Sequence, residues 1–295
     1  MRRTFVLAEA GHNGEMIVYA STSSRFAFVL ILLLILINRP LAAWDAGGHE
    51  LVATIAYAHM NSKARQAVTE FAREMDHAGQ PYSAVTIACW MDDVRREPNM
   101  PYHGLFLSWH YIDLGLDPRD PKPSLEPGDD NEVHGNVVQG LKRAMVVLRG
   151  GTDPYVKTKA MACAMVMHLV GDIHQPLHCA TKYYYPYDFQ HQDAGGNREY
   201  VLNGPPGNPQ FSLHAFWDSA WCASFDPGSG CVAFDSLYQD MGLHRPQNVR
   251  ELAEALAQKP LPPGTDLATN FDQWAHEGNA IARDFVYRDV TTTES

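Results

Sequence analysis

The stretch HLVGDIHQPLH, residues 168–178, places three histidines and one aspartate in eleven positions, after a run from Ala160 that carries no Asp, Glu, Lys or Arg. A helix that only fills a core has no use for so many metal-grade donors. His168 and Asp172 are four residues apart, so on a helix they share a face with their Cβ atoms about 5–6 Å apart, close enough to grip one ion. Pro176 ends the helix. His178, beyond that break, can then approach the same cavity from a direction that one helix face cannot supply. A lone histidine more often occupies a hydrogen-bonded core or surface position. A cluster of this density favours metal.

Working outward, the segment 154–173 is apolar on most sides, which predicts a central helix with others packed around it. Val133, Val137, Val138, Leu141, Met145 and Leu148 recur at three and four and predict an amphipathic helix stopped by Gly150 and Gly151. Further helices are expected over 49–60, 83–90, 213–223, 248–258 and 266–287. Residues 97–131 are rich in Pro, Gly and Asp and read as loop, interrupted by the aromatic island SWHYID at 108–113. Residues 181–212 form the longest irregular stretch, within which REYVL suggests one strand of a small hairpin. The fold class is therefore mainly α, one helical domain with a long irregular region and at most a small β-hairpin. No repeat or composition shift marks a second domain.

The chain has 295 residues, 45% of them hydrophobic, enough for a large core. Net charge is -11, and residues 1–43 hold four Arg and two Glu (+2), so the remainder carries -13. No basic phosphate-binding groove is visible in that balance, so if the chain handles nucleic acid, the positive charge has to come from bound metal. Arg25 precedes an apolar run of twelve residues, Phe26 to Ile37, followed by Asn38, Arg39, Pro40 and then Leu41, Ala42 and Ala43. Twelve residues are too few to span a bilayer. The pattern reads as a secretory signal cleaved after Ala43, with Met16 as an alternative start, and leaves 44–295 as one domain without a membrane anchor. Five cysteines are an odd number for an oxidising compartment, and Cys222 with Cys231 is the best intrachain pair. No N-x-S/T sequon occurs.

A second four-residue pair, His214 and Asp218 in LHAFWD, repeats the geometry of His168 and Asp172. With His178 it gives three ligands, the usual protein share of a zinc that keeps a position open for water. For the first pair the best further donors are His110, in SWHY, and Asp92, after CWM. The alternative for Asp92 is a helix cap or an ion pair with Arg95 or Arg96.

Seven blocks now stand in order: WDAGGH (44–49), CWMDDVR (89–95), WHYID (109–113), NVV (136–138), HLVGDIHQPLH, AGGN (194–197) and LHAFWD (213–218). In this the chain resembles the zinc-dependent S1/P1 nucleases, whose helical fold is shared with zinc-dependent phospholipase C. The resemblance implies three zinc ions: one on Asp92, His110, His168 and Asp172, a second on His178, His214 and Asp218, a third on His49, Asp172 and Trp44. Trp44 would act through its free α-amino group and carbonyl oxygen. His174 is left without a ligand role, as a structural histidine or one bonded to a ligand carboxylate.

The activity so implied is endonucleolytic hydrolysis of single-stranded DNA and RNA to 5′-phosphate products, together with cleavage of 3′-nucleotides. Asp92 would orient the attacking water and Arg95 would meet the phosphate charge. Tyr111 would stack on a base and Asp113 bond a base edge, with plain core packing as the alternative for Tyr111. The tyrosines from Tyr183 to Tyr185 and Tyr187 either line the substrate path or are structural. No stable protein partner is implied, and a monomer in the extracellular space or an acidic organelle is expected. Departures from the family pattern are Met91, Ser212 and Gly278, none of them a ligand. Two rivals remain: a zinc-dependent phospholipase C, which usually carries His-x-x-x-Glu where this chain has His-x-x-x-Asp at 214–218, and a secreted zinc-binding protein without catalysis.

Overall fold

The computed structural model describes residues 44, 46–77, 79–95, 103–123, 135–186, 190–201, 212–218, 249–259 and 270–288. The signal segment, Cys222, Cys231 and Tyr187 lie outside them. Helix α1 spans Ala46–His59 and α2 Ser62–Arg73; a two-stranded antiparallel hairpin follows, β1 (Asp76–His77) with β2 (Gln80–Pro81), in which Asp76 pairs with Pro81. A 3-10 turn, Thr86–Cys89, runs directly into α3 (Trp90–Arg95), and α4 covers His103–Ser108. Then come α5 (Val137–Leu148), α6 (Lys159–Ile173), a second 3-10 turn (Pro176–Cys179), α7 (Leu213–Asp218), α8 (Val249–Ala257) and α9 (Phe271–Ile281), which continues into a π-helical turn, Ala282–Val286.

The central helix is α6. Twelve of its fifteen residues are buried, and α1, α2, α3, α5 and α9 all pack on it. Its start is later than the sequence suggests, because the Thr158 side chain accepts from Met161 N and caps the helix there. The start of α5 is shifted for the same reason: Asn136 and Gln139 exchange side-chain and backbone hydrogen bonds in a capping box. Around α6 the core gathers Ile87, Met91, Phe106, Trp109, Leu141, Met165 and Leu169. A smaller cluster, Leu51 with Leu252 and Ala253, joins α1 to α8.

Several expectations need correction. Helix α2 was not anticipated; it lies on the outside with only Val68 and Ala72 buried, so no apolar run announces it. The stretch 83–90 is a 3-10 turn leading into α3 and not one helix, and the loop expected at 97–131 contains α4. REYVL forms no strand among the described residues; it makes one antiparallel bridge, Tyr200 with Ser212. The hairpin lies instead at 76–81.

Two of the three departures acquire reasons. A Cβ at Gly278 would stand 3.0 Å from Cys179 Cβ, so the close approach of α9 to the second 3-10 turn leaves no room for a side chain. Ser212 Oγ accepts from Ala215 N at 3.1 Å and caps α7 as a longer polar residue would. No helix among the described residues is long and apolar enough to cross a membrane.

Candidate metal centre

The last turn of α6 carries the hub of the site. Asp172 Oδ2 lies 3.0 Å from His110 Nδ1 and 3.1 Å from His168 Nε2, while Oδ1 faces His178 Nδ1 at 3.4 Å and His49 Nε2 at 3.6 Å. One fully buried carboxylate thus touches four histidines from four segments. His168 Nε2 stands 2.9 Å from His110 Nδ1 and 4.0 Å from Asp92 Oδ1, and His49 Nε2 is 4.0 Å from Asp92 Oδ2. The rings of His49 and His168 stack with centroids 3.8 Å apart.

Away from Asp172 a second cluster forms. His214 Nε2 is 3.3 Å from Asp218 Oδ2, and His178 Nε2 is 3.6 Å from Asp218 Oδ1. Three sets therefore have donor atoms within 4.8 Å of one another: His49, Asp92, His168; His110, His168, Asp172; and His178, His214, Asp218. The last equals the set expected from the sequence. In the other two His168 is the common member, and Asp92 stands nearer His49 than the resemblance implies.

Backbone carbonyls fix the histidines. His168 Nδ1 donates to Ala88 O at 2.6 Å, His178 Nδ1 to His110 O at 3.0 Å and His214 Nδ1 to Gly195 O at 2.7 Å. A carbonyl only accepts, so each Nδ1 carries a proton, and Nε2 is the atom turned to the cluster. Gly195 can supply its oxygen because Ala194, Gly195 and Gly196 run through three successive positive φ angles, 54°, 62° and 81°. This is why AGGN precedes LHAFWD.

Do these residues fit metal? Both nitrogens of His49, Nε2 of His110 and of His178, Oδ1 of Asp172 and Oδ2 of Asp218 are buried with no hydrogen-bond partner. Six orphaned atoms in one place are costly unless something binds them. A tetrahedral zinc with bonds of 2.0–2.1 Å sets its ligand atoms about 3.3 Å apart, and the separations above run from 2.9 to 4.0 Å. The set is imidazole and carboxylate, chemistry that suits zinc over magnesium or calcium.

The electrostatics divide the histidines. Burial lowers His49 far below its ordinary value, takes His110 down to about 3 and lowers His214, so all three are neutral. Burial alone would do the same to His168 and His178, but Asp172 outweighs it, raising His168 and pushing His178 up to about 10. Asp172, which burial alone would raise, is held well below the carboxylate range by His168 and His178.

Trp44 is buried, and its indole Nε1 donates to Gly171 O at 3.1 Å. Gly48 gives way to it, since a Cβ there would stand 2.5 Å from Trp44 Cε3. Trp44 is thus packed between the neighbours of His49 and Asp172. Arg95 Nε pairs with Asp92 Oδ1 at 3.1 Å, the ion pair considered as an alternative for Asp92, and Asp92 is at the same time part of the donor cluster. Tyr111 is 42% exposed, which disposes of the core-packing alternative. Asp113 accepts from Gln192 Nε2 at 3.5 Å. Tyr183 is buried, Tyr184 donates to Glu199, and Tyr185 is exposed.

His174 has no ligand carboxylate as partner: its Nδ1 donates to Val170 O at 2.7 Å and its ring packs on Trp274. The polar contact to a carboxylate belongs to the next residue, Gln175, whose Nε2 donates to Asp218 Oδ1 at 2.7 Å. Sequence reasoning passed over Gln175. The only signal was a polar residue between two donors in HQPLH.

No curated protein matches the chain significantly. The family model described as S1/P1 Nuclease matches residues 44–295, which include every block and every donor named above. With 252 of 295 residues so matched, the chain belongs to the S1/P1 nuclease family.

Proposed function

We propose that the protein is a secreted endonuclease holding three zinc ions, which hydrolyses phosphodiester bonds of single-stranded DNA and RNA to 5′-phosphate products and also cleaves 3′-nucleotides. The observation that carries this reading is the convergence of five histidines and three aspartates on a cluster of buried, orphaned atoms in a chain of a nuclease family. Asp92, His110, His168 and Asp172 would hold one ion, His178, His214 and Asp218 a second, and His49, Asp172 and the Trp44 main chain a third. Bound zinc supplies a water of lowered pKa as nucleophile and positive charge for the departing 3′ oxygen.

The remaining work falls to the chain. Asp92 accepts a hydrogen bond from the water and aims it in line with phosphorus. Arg95 braces Asp92 through Nε, and its other N–H groups answer the phosphate charge as it develops. Tyr111, exposed beside the cluster residue His110, offers a ring on which a base stacks, worth about 1–3 kcal/mol. Gln192 holds Asp113 for a base edge. Stacking needs an unpaired base, and the charge of -13 beyond residue 43 (-11 minus +2) disfavours the basic groove that a duplex requires. Both favour single strands.

Residues 1–43 act as the secretory signal, and the mature chain is a monomer of one catalytic domain, in the extracellular space or an acidic organelle. The test is the chain from Trp44 onward, with and without chelator, on single-stranded DNA, RNA, 3′-nucleotides and phosphatidylcholine. Chelator-sensitive release of 5′-phosphate products is expected. Lipid hydrolysis without nucleotide release would replace the reading with a phospholipase C of the same fold, and full zinc without turnover with a binding protein.

A further inference from the structure

Gln175 is fully buried in the turn between α6 and the 3-10 helix Pro176–Cys179. Its Oε1 accepts from Leu177 N at 2.6 Å. A backbone N–H only donates, so the amide cannot be turned round: its NH2 end must point the other way, where Nε2 donates to Asp218 Oδ1 at 2.7 Å. Because the acceptor is a carboxylate, this bond is among the stronger kind. It occupies one oxygen of Asp218 and leaves the other, Oδ2, buried, without a hydrogen-bond partner and 3.3 Å from His214 Nε2.

The main chain of the same residue is equally engaged. Gln175 N donates to Asp172 O at 2.9 Å, and Gln175 O accepts from His178 N at 2.9 Å. One residue therefore touches Asp172, His178 and Asp218, members of two of the three donor sets. Within the third set, His178 is oriented by the His110 carbonyl and His214 by the Gly195 carbonyl. Asp218 has no such carbonyl, and among the described residues Gln175 is its hydrogen-bond donor.

We infer that Gln175 is a positioning residue: it selects Oδ2 of Asp218 as the metal-facing oxygen and locks the His178–His214–Asp218 set to the turn that follows Asp172. The inference rests on the metal centre proposed above. It explains why an amide stands here. Glutamate has the same size and keeps the acceptor for Leu177 N, but turns a negative oxygen towards Asp218. Leucine keeps neither contact.

The experiment compares the chain from Trp44 with its Gln175→Glu and Gln175→Leu variants at pH 7.5. Zinc-to-protein ratio, zinc dissociation constants, melting temperature, kcat and KM are measured. Gln175→Glu is expected to keep its far-UV circular dichroism, to lose one zinc equivalent through a Kd raised about 10–100-fold at one site, and to lower kcat with KM little changed. Gln175→Leu loses the same zinc and also melts lower, since Leu177 N is left without its acceptor. A Gln175→Glu variant with the zinc affinity and kcat of the parent overturns the inference. So does a lowered melting temperature with unchanged zinc binding in both variants, which would make Gln175 a turn cap only. A parent chain that binds no zinc overturns the metal centre itself, and this inference with it.

Discussion

The indole of Trp44 donates to the carbonyl of Gly171, 3.1 Å away and one residue before Asp172. The ring rests on Gly48, one residue before His49. A side chain is thus used to hold a main-chain position near two proposed ligands. In a chain that begins at Trp44, that position carries an amine with an ordinary pKa near 7.7–8.0, from which a metal readily displaces one proton. An amide in the same place is a poor ligand.

The chain made with one extra residue before Trp44 should therefore bind one zinc fewer than the chain beginning at Trp44. Its activity should fall about 10²–10³-fold, the scale of one lost electrostatic contact at the reacting group. Metal analysis and single-stranded DNA hydrolysis on the two proteins check this; equal zinc and equal rates would remove Trp44 from the centre.

Among the described residues, Asp172 is the one carboxylate in contact with all of His49, His110, His168 and His178. Replacing it by Asn keeps the volume and removes the charge. Asp172→Asn should cost more than one zinc equivalent and lower kcat by on the order of 10³-fold or more, since two ions lose a ligand. Atomic emission and steady-state kinetics read both quantities, and near-normal kcat would show that the shared carboxylate is dispensable.

Zinc loading should release protons. His168 and His178 are raised by Asp172, His178 to about 10, so the His178 ring carries a second proton in the zinc-free protein at pH 7.5. His49, His110 and His214 are lowered and have none to lose. The ion displaces the extra proton, so affinity rises with pH up to about 10, and at least one proton leaves per loaded centre at pH 7.5. Calorimetry in buffers of different ionisation enthalpy counts them. A heat independent of buffer would contradict the assignment.

At the end of the π-helical turn Tyr287 donates to Asp193 Oδ2 at 2.5 Å, while Oδ1 accepts from Thr181 Oγ1 and Lys182 N. Asp193 is wholly buried and opens the loop that presents the Gly195 carbonyl to His214. Burial, then the Asp193 charge, drives the Tyr287 hydroxyl far above its ordinary value, so it stays a donor at any workable pH. Tyr287→Phe leaves a buried carboxylate oxygen short of a partner and should destabilise the protein by about 1–3 kcal/mol in denaturant titration. No change in midpoint would mean that water replaces the hydroxyl.

Much of this was legible in the sequence, and the rest fails for identifiable reasons. HLVGDIHQPLH announces its helix and hub because four-residue spacing fixes a face, and LHAFWD repeats the signal. Helix α2 was missed because a surface helix buries only Val68 and Ala72 and looks like polar chain. The contacts that orient the ligands escaped for another reason. Ala88, His110 and Gly195 act through their carbonyls, which have no letter in the sequence, and Gln175 reaches Asp218 across 43 residues. His174 has the side chain of a ligand, yet its ring packs on Trp274 outside the cluster.

X-ray diffraction recorded on both sides of the zinc absorption edge, from crystals of the chain beginning at Trp44, tests the three-ion centre most directly. Three anomalous peaks are expected. Two of them should share Asp172 and lie about 3.5–4 Å apart, and the third should stand between His178, His214 and Asp218. A single peak, or peaks that none of these residues touches, would contradict it.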